Sequence, residues 1–159
     1  MTKGILFLFI AFTLCLPSVA PAGQGNISNA VAITKRFYAK AADAARGIEP
    51  VIHEHVIELA AIGSRKRDET VAALKALSRG TAPGKRRSGQ IAIIVESKMN
   101  DYIKSAEALS QFSSEKDKDA FAAFIAGIIT LKEAEIKRLK SQMAPEARRL
   151  KTRRKGREP

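Results

Sequence analysis

The residues in this chain best suited to chemistry are its two histidines, which lie together in His53-Glu54-His55 with Glu58 nearby. A helix presents metal ligands on one face when they are three or four residues apart. His53 and His55 are two residues apart, so they point in different directions and do not chelate one ion. No cysteine or third histidine in this region completes a zinc site. We therefore expect a solvated polar stripe here and no metal.

Lys132 is the second candidate, because it interrupts an apolar helical stripe between Ile128 and Ile136. Glu135, three residues further on, is a local partner for it. A lysine in such a place is paired, or it extends its amine along its stem towards water. Catalysis would need a lowered pKa and a substrate pocket, and the sequence indicates neither. The glycines of segment 80–89 do not have the spacing of a phosphate-binding loop, so we predict no enzyme and no cofactor.

The positive charge of the chain is concentrated in two segments. The net charge is +12, or +11 once Lys3 of the N-terminal segment is set aside. Segment 79–87 contributes +4, and segment 144–159 contributes +5 from seven cations and two carboxylates. Such local excess favours an anionic partner. The predicted anion-binding residues are Lys85, Arg86, Arg87, Arg148, Arg149, Arg153, Arg154 and Lys155.

Several partners fit this charge. They are an anionic lipid or lipopolysaccharide surface and an acidic protein, while a basic tail that only aids solubility is the simplest alternative. Nucleic acid is disfavoured, because the chain has no Trp and most of its aromatic residues fall on helical core stripes and not on stacking platforms. The oligomeric state does not follow from the sequence.

The apolar residues recur every three or four positions, which predicts an all-α fold. Helices are expected over 28–46, from Pro50 onwards, over 90–112 and over 115–143, with a linker over 80–89. The second helix either continues through Gly63 with a bend or restarts at Asp68, so the antiparallel bundle has four helices or five. Pro145 is expected to end the last helix, which would leave 144–159 as a disordered basic tail.

The third and fourth helices are joined by the tight turn Ser113-Ser114, so they should form a hairpin. The start of one and the end of the other then lie at the same end of the bundle. Because the basic segments adjoin those two points, we predict that they converge on one pole.

The N-terminus predicts a cleaved signal peptide over residues 1–22. Lys3 precedes a run over 4–16 that is apolar apart from Thr13, and small residues follow at 20–22. The run is shorter than the roughly 20 residues that span a bilayer, so the mature chain should have no transmembrane span. The only cysteine, Cys15, lies in this segment, and a disulfide-free exported protein suggests a bacterial periplasm or secretion. The mature domain would then be 23–143.

In size, charge and lack of cysteine, the mature chain is similar to small exported all-helical chaperones of the bacterial envelope. The Leu-Thr-x-x-Gln motif of those proteins is absent, so no residue roles are transferred. The resemblance leaves a second function open, in which an apolar groove between helices binds other polypeptides. Val51, Ile57, Ile62 and Ile33 lie off the main stripes and are the positions that would form such a surface.

Overall fold

The computed structural model describes residues 24–49, 53–80 and 84–155, with side chains described over 25–49, 55–80 and 87–143. These residues form four α-helices: α1 (Gln24–Gly47), α2 (His53–Arg79), α3 (Gly84–Ser110) and α4 (Glu115–Lys155). No strand occurs in the described ranges. The all-α prediction is confirmed, whereas the predicted signal peptide lies outside the described residues.

Helix α2 runs without a break through Gly63, which confirms the four-helix alternative. Glycine in a helix interior costs about 1 kcal/mol relative to alanine, so packing must favour continuity here. A Cβ at Gly63 would lie 3.4 Å from Cε2 of Tyr102 and 3.8 Å from Cδ1 of Tyr38. These are ordinary van der Waals distances, so two aromatic rings pack close to the α2 backbone at this point.

Helices α3 and α4 are both longer than the sequence predicts. Helix α3 begins at Gly84, inside the predicted linker 80–89, because Lys and Arg are good helix formers that outweigh the flanking glycines. Helix α4 continues past Met143 and Pro145 to Lys155, so the helix end predicted at Met143 differs from the structure. Proline in a helix interior removes one backbone hydrogen bond and is unfavourable. The residues that follow Pro145 are mostly Ala, Arg, Leu and Lys, which favour helix.

Contacts between helices show that neighbours in sequence are antiparallel. Lys98 Nζ lies 2.9 Å from Glu69 Oε2 and Lys66 Nζ lies 3.9 Å from Asp101 Oδ2, so residue numbers rise along α3 as they fall along α2. The pairs Lys132–Asn100 and Lys140–Glu96 establish the same relation for α3 and α4. Helix α1 also packs against α4 and touches α3 across the bundle.

A single apolar core occupies the space between the four helices. Each helix contributes a stripe at the spacing that the sequence predicts. The largest fully buried apolar or aromatic side chains are those of Phe37, Tyr102, Phe121, Ile33, Leu59, Leu74, Ile91, Met99, Ile128 and Leu139. On the α3 stripe, Ile91, Val95, Met99, Tyr102 and Ala106 are buried and Leu109 is partly buried.

Candidate functional site

The predicted anion-binding residues lie at the two helix ends with the most concentrated positive charge. Lys85 and Arg86 are in the first turn of α3, and residues 148–155 are in the last turns of α4. The side chains of both groups lie outside the described residues. Arg87 is described: its Nη2 donates a hydrogen bond to the carbonyl of Gly80, which ties α3 to the end of α2. At least one of the eight candidates therefore has a structural contact of its own.

The ends of three helices meet near this place. The Asn26 side-chain amide lies 3.4 Å from Ser88 Oγ, so α1 and α3 begin at the same end of the bundle. The contact between Arg87 and Gly80 brings the end of α2 there too. Lys140 Nζ lies 3.8 Å from Glu96 Oε2, and α4 runs from that pair towards the same end.

A cleft of about 380 Å³ lies between α3 and α4, and we call it the α3–α4 cleft. Its lining consists of Glu96, Lys132, Glu133, Ile136, Lys137 and Lys140. Lys132 is half-buried, and its Nζ donates a hydrogen bond to Oδ1 of Asn100 at 3.0 Å. A neutral amide thus receives the amine, and neither Lys132 nor Lys137 has an ion pair within the described part of the chain. The cleft combines three cations with two carboxylates.

Glu135 is not the partner of Lys132 that the sequence suggests. It is buried, and its Oε1 lies 3.0 Å from Nε of Arg36 in α1. Helix α4 therefore presents Lys132 towards α3 and Glu135 towards α1. The spacing of three residues made a local pair plausible, but neighbours on other helices compete for both groups. Oε2 of Glu135 has no hydrogen-bond partner among the described residues.

Four charges of balanced sign join α2 to α3, and we call them the α2–α3 quartet: Lys66, Glu69, Lys98 and Asp101. Lys98 Nζ is 2.9 Å from Glu69 Oε2, and the other cation–carboxylate distances are 3.6–4.0 Å. The hydrogen bond from Lys98 is the main cause that lowers the pKa of Glu69, and the same bond raises the pKa of Lys98. Each charge of the quartet is met by an opposite one, so it is suited to joining helices and not to binding a ligand.

A second cleft, of about 580 Å³, lies between α1 and α2, and we call it the α1–α2 cleft. It exists because the facing residues are small: Ala39, Ala42, Ala60, Gly63 and Ser64. Tyr38, Leu59 and Tyr102 also line it and are buried, while Lys35, Arg67 and Asp68 are charged lining residues. This arrangement provides an aromatic and apolar base with a charged margin.

The two tyrosines belong to an aromatic cluster with Phe37. The rings of Tyr38 and Tyr102 are edge-to-face with centroids 5.6 Å apart, and Phe37 is edge-to-face with both. The Tyr38 hydroxyl donates a hydrogen bond to the carbonyl of Lys98 at 3.0 Å. Burial is the main cause that raises the pKa of Tyr38, and burial raises the pKa of Tyr102 to about 12. Both phenols are therefore neutral groups in the folded protein and unsuited to act as bases at neutral pH.

The histidine segment has no metal-binding geometry in the described residues. The ring of His55 lies edge-on to Phe121 of α4, with centroids 5.7 Å apart, and Glu58 is exposed. The side chains of His53 and Glu54 lie outside the described residues. Within the described part of the chain, no group of three His, Cys, Asp or Glu residues is arranged to hold a metal ion.

The four positions that the sequence suggested for an exposed apolar surface differ in their burial. Ile33 is buried in the core, Ile62 packs half-buried against it, and Ile57 is 65% exposed. Val51 lies outside the described residues. Sequence reasoning missed Ile93 and Phe112, which are 68% and 80% exposed. Phe112 lies in the turn between α3 and α4, and a turn position is one where exposure can be expected from the sequence. Ile93 lies within α3, and only its angle around the helix axis separates it from the buried stripe.

Within the described residues, no helix combines the length and apolarity that crossing a bilayer requires. Comparisons of the chain with protein-family models, curated proteins and solved structures found no match.

Proposed function

We propose that this protein is an exported, non-enzymatic helical bundle whose basic pole binds an anionic component of the bacterial envelope or an acidic protein. The basic pole comprises residues 85–87 at the start of α3 and 148–155 at the end of α4. The two segments that contain it, 79–87 and 144–159, have a combined charge of +9 out of +12 for the whole chain. A partner with clustered negative charge is the ligand that such a concentration favours.

The antiparallel packing of α3 against α4 is the observation that carries this proposal. Where two antiparallel helices pack, the residue numbers of each facing pair add up to the same total. Extended along straight helices, the register of the Lys140–Glu96 pair would set 148–151 opposite 85–88. Two cationic segments that are distant in sequence would then act on the same ligand.

The electrostatics of the helix ends favour an anion at the start of α3. The first turn of α3 contains cations and no acidic residue. A helix N-terminus has a partial positive charge, so cations there repel it and an anion is attracted to both. Cations at the C-terminus of α4 are favourable to their own helix, and they add to the field without that cost.

Binding to anionic vesicles tests the pole directly. Two variants of the full chain are compared with the unmodified protein. In the first, Arg148, Arg149, Arg153, Arg154 and Lys155 are replaced by Gln. In the second, Lys85 and Arg86 are replaced by Gln. Vesicles of phosphatidylglycerol and phosphatidylcholine, and an acidic protein, serve as ligands. Each cation near an anionic surface contributes about 1 kcal/mol, so both variants should bind measurably more weakly and with a flatter salt dependence.

The matched control replaces Lys40, Arg65 and Lys75, which are exposed cations of α1 and α2, by Gln. It should bind as the unmodified protein does. Unchanged binding by both pole variants would remove the proposed function. Circular dichroism verifies that each variant retains its helices.

Export is tested by expression with the chain's own N-terminus. If segment 1–22 is cleaved as a signal peptide, the protein recovered from the periplasm or medium should begin at Gly23. An intact mass that includes Met1, or recovery from the cytoplasm alone, would contradict export.

The α1–α2 cleft supports a second candidate function, binding of other polypeptides through an inter-helix groove. Its aromatic and apolar base would accept an apolar side chain of a client. Replacing Ala60, which lines the cleft, by Trp should fill it and abolish any suppression of client aggregation. Suppression that persists in this variant would exclude the cleft as the groove.

A further inference from the structure

A row of cations runs along α4 from the α3–α4 cleft towards the basic pole. Lys137 and Lys140 line the cleft, and Arg148, Lys151 and Lys155 continue the same spacing of three or four residues through Ala144. Residues at this spacing fall on one face of a helix. The row contains no carboxylate from Lys137 onwards, and it extends about 27 Å at 1.5 Å per residue.

The α3–α4 cleft, where the row begins, contains lysines that an external anion can pair with. Nζ of Lys132 is received by the neutral amide of Asn100, and Lys137 is exposed with no ion pair in the described part of the chain. Lys140 has a carboxylate partner, Glu96, at 3.8 Å, with the two side chains 60% and 41% exposed. Exposed pairs of this kind contribute little, so a stronger anion can displace Glu96.

The length of the row decides how a partner lies on the protein. At physiological salt, exposed charges are screened beyond about 8 Å. A surface that met only the pole would therefore leave Lys137 and Lys140 out of range. A ligand engages the whole row only when it lies along the side of the bundle, and a flexible chain can follow the row from the pole into the cleft.

We propose that the anionic partner is a linear polyanion that lies along α4, with its inner end in the α3–α4 cleft. Its chemistry is a flexible chain with closely repeated sulfate, carboxylate or phosphate groups. The proposal rests on the proposed function, because the row ends at the basic pole.

The test replaces Lys132, Lys137 and Lys140 by Gln in the full chain and measures affinity for three probes. These are size-graded sulfated heparin oligosaccharides, size-graded polyphosphates, and the phosphatidylglycerol vesicles. Loss of three partly exposed contacts should weaken binding of the long polyanions about tenfold. The Lys40, Arg65 and Lys75 control makes the same charge change on α1 and α2 and should alter affinity less than about twofold. The two polyanion arms distinguish a polysaccharide from a polyphosphate.

Replacing Glu96 and Glu133 by Gln gives a test that misfolding does not imitate. It removes both carboxylates of the α3–α4 cleft and should strengthen polyanion binding. Affinity should also rise with oligomer length until the ligand spans the row, and then level off.

Equal losses in the cleft and control variants would reduce the effect to net charge and overturn the inference. Cleft variants that alter vesicle binding but not polyanion binding would assign the face to a membrane instead, which also overturns it. If the pole variants lose binding while the cleft variants do not, the proposed function stands and only this inference fails. If neither set loses binding, both fail.

Discussion

Helix α3 has two charged sides that differ in how their charges are met. On the α2 side, the α2–α3 quartet pairs two cations with two carboxylates at 2.9–4.0 Å. On the α4 side, Lys132 donates a hydrogen bond to the side-chain amide oxygen of Asn100. The Lys140–Glu96 contact of 3.8 Å is the sole ion pair among the described residues that line the α3–α4 cleft. The α2–α3 interface is therefore balanced in charge, whereas the α3–α4 interface has an excess of positive charge that α4 contributes.

This difference separates charges that join helices from charges available for a ligand. A balanced cluster gains little from an added anion, because each cation already has a carboxylate. An excess lysine on the α4 side gains its first carboxylate or phosphate partner when an anion binds. Residue type alone does not distinguish the two sides, since lysine and acidic residues occur on both.

The largest expected effect shows whether ring packing or ion pairing contributes more to the stability of the α2–α3 side. Replacing Tyr102 by Ala removes a fully buried ring that contacts Tyr38 and Gly63, and it should lower the free energy of unfolding by about 3–5 kcal/mol. Replacing Lys98 by Gln breaks the shortest pair of the quartet and should cost only about 0.5 kcal/mol. Urea unfolding measures both. A larger cost for Lys98 than for Tyr102 would make the quartet the main support of this side.

Alkaline titration tests the same region through its tyrosines. The chain has two tyrosines, and burial raises the pKa of Tyr102 to about 12 and that of Tyr38 above its ordinary value. A raised pKa means that the fold favours the neutral phenol, so stability is complete below the ordinary value of about 10 and is lost as pH rises towards 12. Tyrosinate absorbance should therefore stay low near pH 10. Ionisation there with unchanged helical circular dichroism would contradict the buried cluster.

A smaller effect is expected at low pH, where the carboxylates of the quartet become protonated. The hydrogen bond from Lys98 lowers the pKa of Glu69 below its usual 4.5, with Lys66 adding a further attraction. A lowered pKa gives stability that is present above the unfolded value and is lost as pH falls through the folded one. The unfolding free energy of Glu69→Gln should accordingly fall less steeply below pH 4.5 than that of the unmodified protein. The difference should shrink when Lys98 is also replaced by Gln, and parallel profiles would show that the quartet contributes nothing measurable.

Periodicity was sufficient to predict the helices and most of the core, because each stripe reflects a face that must be buried. Helix ends were less predictable. Gly80, Gly84 and Gly89 indicated a linker, yet α3 starts at Gly84 because Lys and Arg favour helix and Arg87 bonds back to Gly80. Gly63 left the continuity of α2 open in the sequence, because the helix around it packs against two tyrosine rings from other helices that a single sequence does not reveal.

The candidate site was predictable only as a concentration of charge. Which lysines have partners depends on the register between helices, and a single sequence does not contain that information. Lys132 illustrates this, because Glu135 is its neighbour in sequence but Asn100 receives its amine. The two clefts depend in the same way on which small or charged residues face one another.

The smallest expected effect is the difference in stability gain between two glycine-to-alanine substitutions, one in α4 and one in α2. At Gly127 of α4, a Cβ would meet no atom within 4 Å, so Gly127→Ala should gain helix propensity of about 1 kcal/mol. At Gly63 the new Cβ would lie 3.4 Å from the Tyr102 ring, which is ordinary contact distance, so Gly63→Ala should be stabilising by a somewhat smaller amount. The difference between the two urea-unfolding free energies measures the crowding against the ring cluster. If Gly63→Ala were destabilising by more than about 1 kcal/mol while Gly127→Ala was stabilising, the rings would require the bare backbone, and α2 could approach α3 closely only because residue 63 has no side chain.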